Sequence, residues 1–366
     1  MVLLRRILFV NFMILTVFAS VSYWTEEKEK LELTMAEPMK IKQNATEEVK
    51  ADYIKWVDFG VSKFALSEAY EYDRDTYGTD YHISWIDLLA WVASHTGGVF
   101  DNDRTVYQHM DLLKEKISQG EKLEKLVKDL QYFPYYQEAY EAVLGGMVGE
   151  YEIEIPVAGE EGKKVWEKKY GLKAFHPIAK GFPYSDYDDF GVSRTYGYRR
   201  NHLGHDLMGQ TGTPVVAVES GYIEALGWNQ YGGWRIGIRS FDKKRYYYYA
   251  HLRQGFPWQP ELKEGSAVLA GDVIGYMGHT GYSKTEDTNN IDQTHLHFGM
   301  QLIFDESQKE GNNEIWIDCY QIVKFLYCNQ TEARRNDETK EWRRIYQMKD
   351  PNAAAYERKL DFSMYP

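Results

Sequence analysis

Cysteine is scarce in this chain. Only Cys319 and Cys328 occur among 366 residues, and the apolar spacing of Ile322, Phe325 and Leu326 predicts a helix between them. Nine helical residues span about 13.5 Å, beyond the Cα separation of about 7 Å that a disulfide can bridge. We therefore expect two unpaired cysteines with a packing role. Neither has a second cysteine or a histidine nearby in sequence, which argues against cysteine-ligated zinc.

The chain also lacks an excess of basic residues. It has 43 Lys and Arg against 55 Asp and Glu, a formal net charge of −12. Nucleic-acid binders concentrate positive charge, so this balance argues against a phosphate-backbone partner. Hydrophobic residues make up 43% and charged residues 27%, which predicts a mostly globular, soluble chain with room for two or three domains. The 30 tyrosines suit both strands and polymer-binding grooves, and composition does not separate these uses.

A long apolar run lies at the N-terminus. Residues 7–24 follow Arg5 and Arg6 and include the small residues Ala19 and Ser20, a pattern typical of a secretory signal peptide over 1–24. Eighteen residues also approach the roughly 20 that span a bilayer, so an uncleaved membrane anchor stays open. Either alternative places the bulk of the protein outside the cytoplasm, whether secreted or anchored. Residues 25–46 are charged, without apolar periodicity, and are predicted to be a linker.

Helical periodicity follows over residues 47–149. We predict helices that start at Thr46 and after Ser84, a third over 106–130 with a break near Gly120, and a fourth over 135–148. These segments indicate an N-terminal all-α module of about 100 residues, for which a protein partner stays open. Residues 150–176, rich in glycine and charge, are expected to be a connector.

The pattern then changes to short β-prone runs punctuated by glycine. They lie at 214–218, 222–226, 234–240, 246–251, 273–277 and 294–304. Strands at this spacing predict an antiparallel β domain over 177–305, and the whole chain is expected to be an α+β multidomain protein. A helix over 315–328 and a charged tail are expected within 306–366.

Two histidines lie two residues apart in the run THLHFGM, residues 294–300. In a strand, His295 and His297 share one face, while Leu296 and Phe298 occupy the other, which suits a buried side. Such an imidazole pair can bind a divalent metal, or one ring can ligate while the other handles protons. Taken alone, the pair is equally compatible with two polar residues on a sheet surface.

A second group of polar residues lies in RNHLGHD, residues 200–206. His202 and Asp206 are four apart, and Gly204 between them disfavours a regular helix. A tight loop can still bring both side chains to one point. Together with a third ligand from the HLH strand, they predict a His, Asp, His site with one open position, the pattern of a catalytic zinc.

Taken in order, the motifs resemble the lysostaphin-type, LytM-like zinc metallopeptidases, which are peptidoglycan endopeptidases. The resemblance rests on HLGHD at 202–206, YAHL at 249–252, GDVIG at 271–275, TGYS at 280–283 and HLHF at 295–298, and it covers about 177–303. It implies a compact antiparallel β domain, the duplicated hybrid motif, with a metal in its groove. It also implies that His202, Asp206 and His297 bind Zn²⁺.

The resemblance further implies that His295 and His251 are catalytic and stand beside the open coordination position. Bound zinc makes hydroxide available near neutral pH, and a nearby imidazole can take its proton. The chain has no HExxH motif, so a glutamate base in that arrangement is absent and a histidine base is needed. Strand alternation places Tyr247 and Tyr249 on the same face as His251, so these tyrosines are expected to line the groove.

Other chemistries and other histidines fit less well. No GxSxG motif is present, which argues against a serine hydrolase. His205 and His279 are expected outside the ligand set. Residues 284–293 form a ten-residue segment where the family has two or three, and two interpretations stay open: a surface insertion, or a groove wall that changes which peptide fits.

The sequence thus predicts a zinc-dependent endopeptidase that cleaves peptide bonds of peptidoglycan. The alternative is a protein of the same fold that binds the wall or activates a partner without cutting. Family members of that kind generally lack one or more of the five key residues, and all five are present here.

Overall fold

The structure of the protein, a computed structural model, describes residues 54–196, 198–309 and 313–363. The predicted signal peptide or anchor at 1–24 and the predicted linker at 25–46 lie outside these residues. Within the described ranges, no helix combines the length and apolar character that a membrane span requires.

Helices occupy the first part of the described chain. They are α1 Lys63–Thr76, α2 Trp85–Thr96, α3 Asp103–Ser118, α4 Leu123–Val127 and α5 Phe133–Leu144. Ser84 caps α2 by accepting from the backbone N–H of Asp87, and Asn102 caps α3 in the same way. The predicted helix start at Thr46 lies outside the described residues; within them the first helix begins at Lys63, where the side chain of Ser62 accepts from the backbone N–H of Ala65.

The expected connector at 150–176 contains a β-hairpin. Strands β1 Val148–Pro156 and β2 Lys164–Leu172 pair antiparallel over their whole length. Tyr151, Ile153 and Ile155 alternate with glutamates in β1, which is the period of a half-buried strand. The sequence prediction missed this hairpin because it gave weight to charge and glycine rather than to alternation.

Antiparallel strands follow the hairpin, and most of them form one large sheet. Its members are β3 Ser185–Asp186, β6 His205–Met208, β8 Gly221–Asn229, β9 Gly233–Ser240, β10 Arg245–Ala250, β11 Ala267–Val268, β13 His295–Leu302 and β14 Ile315–Ile317. Their order is β11-β8-β9-β10-β13-β6-β3, and β14 also pairs with β13. Two small pairs stand outside it: β4 Ser193–Tyr196 with β5 Tyr198–Asn201, and β7 Pro214–Val216 with β12 Val273–Tyr276.

The C-terminal part differs from the expected helix and tail. The helix predicted over 315–328 is shorter, α6 Tyr320–Leu326, because its first residues continue the sheet as β14. Cys319 is buried, Cys328 is exposed, and both are free thiols, as predicted. The tail is ordered as β15 Ala333–Arg335, β16 Trp342–Arg344, β17 Met348–Lys349 and α7 Pro351–Ser363, and β17 pairs with β1.

The two faces of the large sheet have different neighbours. One face is apolar, with Tyr247, Tyr249 and Phe298 fully buried, and the helices pack behind it in one continuous core. Arg245, also fully buried, reaches from this face to donate to the carbonyl oxygen of Ala142 at the end of α5. Helices α1–α5 therefore support the sheet from behind, and part of its other face is open as a groove.

Candidate metal centre

Three potential metal-ligand atoms meet at one end of the open face. His202 Nε2 lies 2.9 Å from His297 Nδ1 and 3.0 Å from Asp206 Oδ1, and His297 Nδ1 lies 3.0 Å from Asp206 Oδ1. Asp206 on β6 is directly opposite His297 on β13 in the antiparallel register, and His202 lies in the turn that precedes β6. Strand pairing thus brings together residues that are 91 positions apart.

The geometry of these atoms fits a zinc ion. Three atoms about 3 Å apart leave a point that lies about 2 Å from each, the usual length of zinc–nitrogen and zinc–oxygen bonds. The ligand atoms are also oriented from behind. His202 Nδ1 lies 3.2 Å from the carbonyl oxygen of Asp189, and Asp206 Oδ2 accepts from Arg194 Nη2 at 2.9 Å. Such partners behind the ligands fix which atom faces a metal.

The electrostatics keep Asp206 ionised. Burial by itself raises the pKa of this carboxyl, but hydrogen bonds from His202 and His297 outweigh burial and hold the pKa well below its ordinary value. Burial lowers the pKa of His202, but its hydrogen bonds to Asp189 and Asp206 outweigh burial and raise the pKa to about 9. A cation at this point is therefore matched by a permanent negative charge.

Two further histidines stand beside the three ligand atoms. His295 Nδ1 donates to the carbonyl oxygen of Gln293 at 2.8 Å, and His251 Nδ1 donates to that of Thr280 at 2.9 Å. This tautomer leaves each Nε2 as an acceptor. His295 Nε2 lies 3.7 Å from Asp206 Oδ1, and the His251 and His295 ring centroids are 4.7 Å apart. Burial and the neighbouring histidines hold the pKa of His251 well below its ordinary value.

The expected role of Tyr247 and Tyr249 in the groove is wrong. Both are buried on the helix side, and Tyr249 contacts Phe298 there, while Tyr246 and Tyr248 line the groove. His251 reaches the groove because its φ of 61° breaks the alternation at the end of β10. The sequence prediction was wrong because it extended the alternation of strand faces one residue beyond the end of β10, to His251.

The groove continues along the sheet away from the ligand atoms, with a volume of about 570 Å³. Its aromatic lining comes from Tyr231, Tyr246, Tyr248, Tyr282 and Trp316. The sequence prediction missed this extension, because its residues come from several strands and carry no local motif.

Gly204 has a packing role that the sequence prediction also missed. A Cβ atom at this position would lie 2.6 Å from both Cε1 and Nε2 of His297 and 2.9 Å from the carbonyl oxygen of Phe298. The missing side chain thus makes room for the imidazole whose Nδ1 faces the centre.

Histidines that we placed outside the ligand set lie outside it in the structure. His205 Nε2 lies 3.0 Å from Asp186 Oδ2, and His279 Nδ1 donates to Ile291. The segment 284–293 is tied down: Asp287 Oδ1 accepts from Trp234 Nε1 at 2.6 Å and from the Gly255 N–H at 2.8 Å. It borders the groove through its neighbours Tyr282 and His295 without lining it.

Residues 200–319, which contain the five histidine and aspartate residues, match the family model of Peptidase family M23. The chain contains a peptidase family M23 domain. This M23 domain is similar to the L-Ala--D-Glu endopeptidase of Bacillus subtilis (strain 168), with 41% identity over 130 residues that cover 36% of this chain and 38% of the relative. It is also similar to the glycyl-glycine endopeptidase ALE-1 of Staphylococcus capitis, with 36% identity over 120 residues that cover 32% and 28%.

A crystal structure of lytM from Ruminococcus gnavus ATCC 29149 is similar over 76% of this chain and 92% of its own, with 24% identity and a TM-score of 0.47. The sequence matches confirm the resemblance to lysostaphin-type peptidases. The matched segment spans well under half the length of the curated relatives.

Proposed function

We propose that the chain is a zinc-dependent endopeptidase that hydrolyses peptide bonds of bacterial peptidoglycan. The proposal is carried by one observation: three ligand atoms about 3 Å apart, flanked by two histidines with free Nε2 atoms, at the end of an open groove. The endopeptidase names of two relatives support the reaction class. The β domain's assignment to the duplicated hybrid motif is part of the same proposal.

In this proposal a zinc ion would be held by His202 Nε2, Asp206 Oδ1 and His297 Nδ1. When bound by three protein ligands, zinc lowers the pKa of water at its open position to about 7 and so supplies hydroxide near neutral pH. Arg194 and Asp189 hold the ligands in place from behind.

His295 and His251 handle the protons. Because each donates its Nδ1 proton to a backbone carbonyl, each Nε2 carries a lone pair that can accept a proton from the attacking water. The imidazole that has accepted the proton becomes a donor through Nε2. It can then protonate the leaving amine, while its positive charge stabilises negative charge on the attacked carbonyl.

The open groove suits an extended peptide, because helices α1–α5 pack on the opposite face of the sheet. Its aromatic side chains offer contact area to a polymer. A wall polymer lies outside the cytoplasm, so the protein is proposed to act there, and the N-terminal residues 7–24 remain its predicted export signal or tether. The two relatives are named for different bonds, and these differ in charge: a glutamate residue in a peptide keeps one free carboxylate, whereas glycine has none.

The non-cleaving alternative is not favoured. A protein that only binds the wall does not need two imidazoles with free Nε2 atoms beside a metal site, and both are present here.

The test measures bound zinc and the release of soluble muropeptides from purified sacculi by the full chain and its variants. Asp206→Ala removes a ligand and should lose zinc and activity together. His295→Ala should retain zinc and lose activity by at least a hundredfold, the usual scale for a proton-transfer group. His95→Ala, a histidine of α2 that bonds the Trp91 carbonyl, is the matched control and should match the wild type. Undiminished release by the Asp206 variant would refute the proposal.

A further inference from the structure

The groove carries positive charge in a chain that is acidic overall. Its described lining includes four cationic side chains, Arg194, Arg200, Arg235 and Lys309. Two of them are neutralised within the protein: Arg194 pairs with Asp189 and Asp206, and Lys309 lies 3.1 Å from Glu224. No salt bridge to a described carboxylate involves the other two.

We propose that Arg235 and Arg200 bind a free carboxylate of the substrate, so that the enzyme acts on an acidic peptide rather than on a neutral glycine bridge. This inference rests on the proposed function and specifies its substrate class. Arg235, Arg200 and the tyrosine between them, Tyr248, are called the arginine subsite below.

Arg235 is the stronger member of the arginine subsite. It lies on β9, where it is partly exposed, and its Nε atom is buried without a hydrogen-bond partner among the described residues. Its guanidinium interacts with the hydroxyl of Tyr246, a neutral group that leaves the positive charge uncompensated. The partly exposed guanidinium lines the groove, where a substrate carboxylate would pair with it through a charge-assisted hydrogen bond.

Arg200 reaches the groove from β5. Its guanidinium carbon lies 5.7 Å from the ring centroid of Tyr231 and 5.0 Å from that of Tyr282. These two rings position the guanidinium by cation–π contact without neutralising it, so its N–H groups stay available. Tyr282 in turn stacks on His251, with ring centroids 6.0 Å apart, which places Arg200 one ring beyond a proposed catalytic histidine.

Tyr248 links the two arginines to the metal centre. Tyr248 lines the same groove as Arg235 and Arg200. Its ring centroid lies 5.9 Å from that of the metal-ligand candidate His297. A carboxylate at the arginine subsite would therefore belong to a residue near the scissile bond.

Besides the metal-ligand candidate Asp206, one acidic side chain lines the described part of the groove, Glu314. Its Oε2 accepts from Trp316 Nε1 at 2.7 Å, and among the described residues no ion pair joins it to Arg200 or Arg235. It therefore does not occupy the arginine subsite.

The experiment compares three peptides as substrates of the zinc-loaded full chain. The first contains L-Ala-D-Glu with the glutamate carboxylate free, the second carries that carboxylate as the carboxamide, and the third is pentaglycine. We expect kcat/KM for the free acid to exceed that for the amide by about tenfold, the lower end of what a hydrogen bond to a charged group contributes. Equal kcat/KM values for acid and amide would overturn the inference while leaving the proposed function intact.

Variants locate the preference in the arginine subsite. Arg235→Gln should lower kcat/KM for the acid about tenfold and change that for the amide less than twofold. Arg235→Lys should retain part of the preference, because it keeps the charge but not the planar fork. Arg104→Gln is the matched control: it removes the same charge from α3, where Arg104 is exposed behind the sheet, and should leave the acid-to-amide ratio unchanged.

Binding provides a second readout that does not depend on turnover. Calorimetry on the His251→Ala variant should show tighter binding of the acid than of the amide, and this difference should vanish when Arg235→Gln is added. A preserved difference would place recognition elsewhere and refute the role of Arg235. Failure of the zinc-loaded wild type to cleave any of the three peptides or sacculi would contradict the proposed function itself.

Discussion

At the scale of single residues, the absence of a side chain is as important as the ligands. Gly204 has no φ in the left-handed region, so alanine would fit its backbone, yet the added Cβ would overlap the His297 ring. The imidazole would have to rotate, and Nδ1 would leave its position 3.0 Å from Asp206 Oδ1.

We therefore predict that Gly204→Ala loses most of its zinc while remaining folded. Overpacking of this kind costs about 1–3 kcal/mol, which a chain with a large core can absorb. The measurement is zinc per chain by atomic emission, with far-UV circular dichroism to check the fold. Gly60→Ala is the control, since a Cβ there meets nothing closer than 3.8 Å. Full zinc occupancy in Gly204→Ala would show that the His297 ring has another way to fit.

Some of these residues could be predicted from the sequence, and others could not. His295 and His297 could be identified because residues two apart share one face of a strand. His202 and Asp206 could be identified because they lie four residues apart in one short loop. Asp189, Arg194 and Arg235 could not, since they join the site through non-local pairing. The structure places Tyr246 and Tyr248 in the groove, whereas the sequence predicted Tyr247 and Tyr249 there. The cause is local: His251 has a positive φ, and the residue type at that position does not indicate it.

At the scale of elements, the segment 284–293 shows how an insertion can be ordered by a few polar contacts. Asp287 accepts two hydrogen bonds with one oxygen atom and adopts a φ of 56°, a region that aspartate and asparagine tolerate better than alanine. The same segment ends at Gln293, whose carbonyl orients His295.

Asp287→Ala should therefore loosen this segment, because it removes both acceptors and strains the backbone. We expect faster amide hydrogen exchange over 284–293, unchanged zinc content, and a fall in activity of about threefold to tenfold as His295 loses its fixed orientation. Asp287→Asn keeps an acceptor oxygen and tolerates the backbone conformation, so it should resemble the wild type. If the alanine variant exchanges no faster than the asparagine variant, the segment is held by other contacts.

Helices and strands could be predicted from the sequence where a single period of apolar residues dominates the segment. The runs at 234–240 and 273–277 became β9 and β12 with shifts of one residue at most, whereas the β1–β2 hairpin was hidden by glutamates and lysines on its exposed face. The residues of β14 were predicted to be helical, because Ile315, Ile317 and Ile322 fit both the strand period and the helix period over so short a stretch.

At the scale of the whole molecule, a buried ion pair joins the helices to the sheet. Arg245 Nε donates to Glu219 Oε2 at 2.7 Å, and Tyr247 donates to the same oxygen at 2.6 Å. Arg245 Nη1 also donates to the carbonyl oxygen of Ala142 at the end of α5. The chain order of helices and strands predicts two modules, but not that one core and this ion pair unite them, because the contacts span about a hundred residues of sequence.

Glu219→Gln should destabilise both parts together. The substitution removes one of the two carboxylates that pair with the buried guanidinium of Arg245, since Asp242 Oδ2 stays 2.7 Å from Nη2. Loss of a hydrogen bond to a charged group costs about 1.5–3 kcal/mol. Urea unfolding of the zinc-loaded chain should show this loss in a single transition that is shared by far-UV circular dichroism and tryptophan fluorescence. Glu160→Gln breaks an exposed pair with Lys163 and should change the free energy of unfolding by less than about 1 kcal/mol. Two separated transitions in Glu219→Gln would instead show that the helices and the sheet fold independently.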